Sequence, residues 1–262
     1  MESESCMSDI RYVDSHAHIF SEEFREDFDA VINRIEESHI DRVMIICTRA
    51  DEAREAMAFV KKNPERYQMA YGIHPEDVDL LSEEALKEVY DIVSDPLVSC
   101  VGEIGLDYYW EKEKKEAQKE LFIRQIEIAR EIDKPILVHS REAIQDTFDI
   151  MKEHRVKGVM HCFPGTKEMG MEFTKLGYYI ALGGAVTFKN ARHSKEVCAA
   201  VDPSFLLSET DCPYMAPVPL RGTRNEPSNI PYIVKVMADT RGITAAEMAE
   251  IIWNNYERLL HG

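Results

Sequence analysis

The sequence predicts an α/β fold, a (β/α)8 TIM-type barrel built as a single domain over residues 1–262. Three observations predict it. Short apolar, β-branched-rich runs recur eight times along the chain, amphipathic stretches with apolar residues at helical spacing lie between them, and the length suits one undivided barrel of about 250 residues.

In order, the strand candidates are "YVDSHAHI", "DRVMIICT", "YQMAYGIH", "LVSCVGEIGLDY", "KPILVHS", "KGVMHCF", "YYIALGG" and "FLLSETD". Each is too short for a buried helix and too apolar for a loop, as expected of strands covered on both faces. The intervening stretches 24–38, 51–62, 82–93, 114–132, 142–153 and 167–176 carry a 3.6-residue apolar period and read as helices. Ser21 and Ser82 are expected N-caps, and "NP" at 63–64 and "DP" at 95–96 and 202–203 break helices before new strands. Two further helices, about 230–239 and 244–260, are expected to close the barrel after the last strand. No low-complexity linker divides the chain.

Composition bounds the function. With 45% hydrophobic and 30% charged residues the chain can bury a sizeable core. Against 31 basic residues stand 48 acidic ones, a formal charge of −17, which excludes polyanion binding through a broad basic surface. Any nucleic acid must be gripped locally. Cysteines 6, 47, 100, 162, 198 and 212 form no tight pair and are expected to be reduced thiols. The acidic start "MESESCMSDI" is unlike a secretory signal, and no apolar run approaches membrane-spanning length, so a soluble cytoplasmic protein is expected.

Active sites of such barrels lie at the carboxyl ends of the strands, so the polar residues ending each apolar run are the informative ones. His16 and His18 share one side of the first strand, because residues i and i+2 do. To them the chain adds His74, Glu103, His139, His161 and Asp211 at the ends of later strands. A lone histidine on a strand is more often a satisfied polar group than a ligand. The joint pattern differs, since burying so many unpaired polar groups together is costly without something to bind. Four histidines with two carboxylates exceed the needs of one tetrahedral ion. The expectation is two divalent ions, one held by His16, His18 and Asp211, the other by His139 and His161, with Glu103 bridging. Asp211 is expected to accept a proton from a metal-bound water, which makes Asp211 and Glu103 the expected catalytic residues. His39, His154, His193 and His261 fall in helical or terminal segments and receive no role.

The segments "DSHAHIF", "GIHPED", "GEIGLDYY", "PILVHSR", "HCFPG", "SETDCPYMAP" and "RNEP" together resemble, in order and along nearly the whole chain, the signatures of the TatD-type metal-dependent deoxyribonucleases. The resemblance implies a barrel of the amidohydrolase-like superfamily, a binuclear divalent site and hydrolysis of phosphodiester bonds in DNA. It matches His16, His18, Glu103, His139, His161 and Asp211 to metal ligands and His74 to an additional active-site histidine. Because so acidic a chain can grip DNA only locally, a short, end-reaching grip is expected, which suits an exonuclease acting on single-stranded ends better than an enzyme tracking duplex.

The loops after the strands supply expected phosphate contacts, namely Arg49, Arg141, Lys189, Arg192, Arg221 and Arg224, the last two favoured because "PVPLRGTRNEP" follows Asp211. Loop aromatics Phe20, Tyr108, Tyr109, Trp110, Phe163, Phe188 and Tyr214 are candidates for base stacking. Two other readings stay open at this point. One is metal-dependent hydrolysis of an ester or amide, such as aminoacyl-tRNA deacylation; the other is a metal-binding or interaction module without chemistry. The ligand set leaves the metal open among zinc, manganese, nickel and magnesium.

Overall fold

A computed structural model describes residues 10–110 and 112–262. Residues 1–9 of the acidic N-terminal segment, with Cys6, lie outside the described residues. The strands are β1 (Tyr12–Ala17), β2 (Ile40–Cys47), β3 (Tyr67–Tyr71), β4 (Val98–Asp107), β5 (Ile136–Arg141), β6 (Gly158–Met160), β7 (Tyr179–Leu182) and β8 (Leu206–Ser208). They pair in parallel, each with the next in sequence, in one eight-stranded sheet of order β1 to β8. This is the expected (β/α)8 barrel.

The helices are α1 (Phe28–Glu37), α2 (Ala50–Val60), α3 (Glu83–Val93), α4 (Lys115–Glu131), α5 (Ile144–Glu153), α6 (Lys167–Lys175), α7 (Arg192–Ala200), α8 (Ile230–Arg241) and α9 (Ala245–His261). Local chemistry sets several boundaries. The Ser82 hydroxyl accepts the Ala85 N–H at 3.1 Å and heads α3. Thr244 and Glu247 form a capping box at α9, and Gly242, at φ 68°, ends α8 in the left-handed conformation that a side chain would oppose.

Two expectations need correction. Ser21 precedes a short 3-10 turn, Glu22–Phe24, and makes no capping bond, so α1 begins at Phe28 rather than at 24. Helix α7, RHSKEVCAA, which buries Val197 and Cys198, has no counterpart among the expected helices.

The seam between β8 and β1 closes just beyond β8. Asp211 N–H donates to His16 O at 2.9 Å and His18 N–H to Cys212 O at 3.0 Å. Side chains reinforce it. Asp14, fully buried, accepts from Thr210 N–H (2.9 Å), Thr210 Oγ1 (2.5 Å) and His16 N–H (3.2 Å), while Ser208 Oγ donates to Val13 O at 2.7 Å. The first and last motifs are thereby fastened together. On the β4 side, Gly105 holds φ at +145° where an added Cβ would lie 2.0 Å from His139 O. Only glycine lets β5 approach so closely there.

Asp14→Ala should therefore lower unfolding stability by about 2–3 kcal/mol, because it strands buried donors of Thr210 and His16. Chemical denaturation measures this; a change under about 0.5 kcal/mol would remove the latch from the account.

Candidate functional site

The histidines and carboxylates expected at the strand ends converge on Glu103. Its Oε2 lies 3.3 Å from His16 Nε2 and 3.5 Å from His18 Nε2, and its Oε1 lies 2.9 Å from His139 Nδ1, 3.5 Å from His161 Nε2 and 3.7 Å from His74 Nε2. Asp211 Oδ1 stands 3.6 Å from His18 Nε2 and 3.9 Å from both His16 Nε2 and His161 Nε2. Glu103, His16 and His161 are buried, whereas Asp211 and His18 reach the mouth.

These separations fit a cation. A tetrahedral ion with bonds of about 2.0–2.1 Å holds its ligand atoms about 3.3–3.4 Å apart. The His16 and His18 Nε2 atoms face each other at 3.2 Å, with Glu103 Oε2 3.3 and 3.5 Å away. The donor set His16, His18 and Glu103 forms one candidate metal group and His74, Glu103 and His139 another; His16, His161 and Glu209, and His161, Cys162 and Asp211, form two more.

Hydrogen bonds on the far side of each ring decide which nitrogen faces the centre. Asp107 Oδ2 meets His139 Nε2 at 3.0 Å, and Glu209 Oε2 meets His161 Nδ1 at 3.1 Å. A carboxylate there takes the ring N–H, which leaves His139 Nδ1 and His161 Nε2 facing Glu103 and able to meet a cation. His74 is arranged the other way. Its Nδ1 accepts the Glu76 N–H at 3.2 Å, which puts a ring proton on Nε2 and offers a donor, not a lone pair, to the centre. That suits a group that binds substrate oxygen.

Asp14, Asp107 and Glu209 were missed by the sequence reading, although all three are fully buried acids inside apolar runs. Such burial is expensive enough to have been the signal. Glu209 also accepts the Cys162 N–H at 2.6 Å, and Asn225 of "RNEP" clamps the loop behind Asp211 by donating to Thr210 O (2.9 Å) and Tyr214 O (2.8 Å). Asp211 and Cys162 take left-handed backbone conformations, φ 54° and 41°, of the kind that collects at functional sites.

The charges follow from the packing. Burial works against the Glu103 carboxylate, but His161, His16, His74 and the His139 hydrogen bond outweigh it and hold the group well below the usual carboxylate range. Burial opposes protonation of His139 and His161 as well; Asp107 and Glu103 lift His139 to about 9, and Glu209, Glu103 and Asp211 lift His161 to about 10. Burial raises Asp211 to about 6 against the pull of His161 and His18.

The expected phosphate contacts divide. Arg224 turns to Asp27 in a bidentate pair of 2.7 and 2.8 Å and to Glu23 O at 2.7 Å, beside an Arg34–Glu226 pair of 2.7 and 2.8 Å. Its guanidinium anchors the loop. Arg49 pairs with Asp51 and Arg192 with Glu196 on the surface. Arg221 lies 4.0 Å over the Phe188 ring, and Arg141 4.0 Å over Tyr109.

Because the metal-free His139 and His161 hold protons at neutral pH and must shed them to bind a cation, metal affinity should rise with pH between about 6 and 9. Calorimetry of zinc or manganese binding in buffers of different ionisation enthalpy should register release of at least about one proton at pH 7. Affinity independent of pH across that range would contradict the assigned charges.

Comparison with known proteins agrees with the geometry. The family model for TatD related DNase matches residues 13–261. The chain is 38% identical over 249 residues to the uncharacterized metal-dependent hydrolase YabD of Bacillus subtilis (strain 168), covering 94% of this chain and 97% of that one. It is 34% identical over 258 residues to the uncharacterized metal-dependent hydrolase YcfH of Escherichia coli (strain K12), covering 95% of each. The crystal structure of YjjV, a TatD homolog from Escherichia coli K12, superposes with a TM-score of 0.89 at 28% identity over 97% of this chain and 99% of that one. With the motifs, the barrel and the cluster in agreement, the chain belongs to the TatD family of metal-dependent hydrolases.

Proposed function

We propose that the protein hydrolyses phosphodiester bonds of DNA, working as an exonuclease on single-stranded ends with two divalent ions beside Glu103. The observation that carries this reading is the division of Glu103: one oxygen faces His16 and His18, the other His139 and His161. A carboxylate so placed serves two neighbouring cations at once. His16, His18 and Asp211 would hold one with Glu103, and His139 and His161 the other. Bound there, a pair of divalent ions supplies Lewis-acid stabilisation of a phosphoryl group and activation of water.

The chain's own groups complete the assignment. His74 presents its Nε2–H to a phosphoryl oxygen, its tautomer fixed by the Glu76 N–H. Asp211 accepts a proton, since its carboxylate stands at the rim of the cluster, 3.6 Å from His18 Nε2, where a water held by the ions would lie. Arg221 is the remaining phosphate contact of its loop, because Arg224 is engaged by Asp27. The family model's description as a DNase supports DNA as the substrate. The formal charge of −17 supports a short grip on strand ends over tracking along duplex. No described helix is long and apolar enough to cross a membrane. The five described cysteines are free, which supports a reducing compartment such as the cytoplasm.

End-labelled single-stranded and duplex DNA, assayed with magnesium, manganese and zinc in turn, tests the reading against aminoacyl-tRNA and simple esters. Shortening of single strands from one end is expected. Asp211→Asn should cut turnover at least about a hundredfold while the metal content is retained. Intact oligonucleotides with every metal, alongside hydrolysed esters, would overturn DNA as the substrate; undiminished turnover in the variant would remove Asp211 from proton transfer.

A further inference from the structure

We propose that Tyr109, Trp110 and Arg141 form a stacking subsite for a nucleobase flanking the scissile phosphate, held in register with the metal centre by Asp107. This inference rests on the DNA reading above.

Tyr109 and Trp110 follow directly on the carboxyl end of β4, and Arg141 ends β5 two residues beyond His139. Both aromatic residues are exposed, Tyr109 at 40% and Trp110 at 60%, whereas the chain's other tryptophan, Trp253, is buried at 8%. Single exposed aromatics are ordinary on a protein surface, so exposure alone decides nothing. Their arrangement does. The two rings stand perpendicular, 87° apart with centroids at 4.7 Å, and the Arg141 guanidinium lies 4.0 Å from the Tyr109 centroid and 5.5 Å from that of Trp110. Perpendicular packing and high exposure leave room for a planar partner parallel to the indole. Arg49, Arg192 and Arg224 are each bound to a carboxylate, but Arg141 has no such partner among the described residues. Its charge remains available to a phosphate or a base face. An aromatic surface beside an unneutralised cation is the combination by which proteins bind single strands without reading sequence.

Asp107 ties this platform to the chemistry. Its Oδ1 accepts the N–H groups of Tyr109 and Trp110, both at 2.9 Å, while its Oδ2 holds His139 Nε2 at 3.0 Å. Gln118 fixes Asp107 in turn, accepting its N–H at 2.7 Å and donating to its carbonyl at 2.9 Å. One rigid carboxylate thus separates the backbone of the platform from a ring that faces Glu103.

The test uses the full-length, metal-loaded protein and single-stranded oligonucleotides that are intact or carry an abasic site at either nucleotide flanking the scissile phosphate. The wild type should show a KM about tenfold higher for one of the abasic strands, the scale of a lost base–aromatic stack. In Trp110→Ala the ratio of the two KM values should collapse toward one, and Trp110→Phe should restore part of it. A second readout needs no turnover: 2-aminopurine at the same nucleotide should be quenched on binding the metal-free wild type and much less so by Trp110→Ala. Efficient cleavage with equal KM for intact and abasic strands, or an unchanged ratio in Trp110→Ala, overturns the subsite and leaves the DNA reading standing. Failure of the wild type to cut any oligonucleotide overturns the DNA reading, and the subsite falls with it.

Discussion

Moving the Glu103 carboxylate out of water costs several kcal/mol unless charge and hydrogen bonds replace the lost solvation, and here imidazoles on or just after β1, β3, β5 and β6 supply the replacement. None of these rings is near another in sequence except His16 and His18, so the convergence exists only because the barrel closes. The metal-free centre is a buried anion ringed by partly protonated imidazoles.

Closure is secured where it matters. Asp14 fastens the strand carrying His16 and His18 to the segment carrying Asp211, and Asn225 clamps that segment from behind. Asp107 and Glu209 do the same for the two rings on the opposite side, each gripping the nitrogen that faces away from Glu103. The cage is therefore two layers deep, an inner layer of imidazoles and Asp211 around Glu103 and an outer layer of carboxylates that sets tautomer and orientation.

Much of this was legible beforehand. Apolar runs and their polar ends located all eight strands, Glu103 and the six residues around it, because burial on both faces leaves no alternation to confuse and because chemistry at a barrel sits at strand ends. What escaped lacked such a signature. Asp14, Asp107 and Glu209 read as ordinary acids in an acid-rich chain, since their partners lie across the barrel. Arg224 looked available for phosphate until Asp27, 197 positions away in sequence, was found beside it.

The central claim is that Glu103 lies between two cations. Crystals grown or soaked with manganese or zinc, with anomalous scattering recorded at the metal edge, test it most directly. The account predicts two peaks about 3.5–4 Å apart, one on the His16 and His18 side and one on the His139 and His161 side, each touching a different Glu103 oxygen. A single peak, or peaks that leave Glu103 without a metal contact, would contradict it.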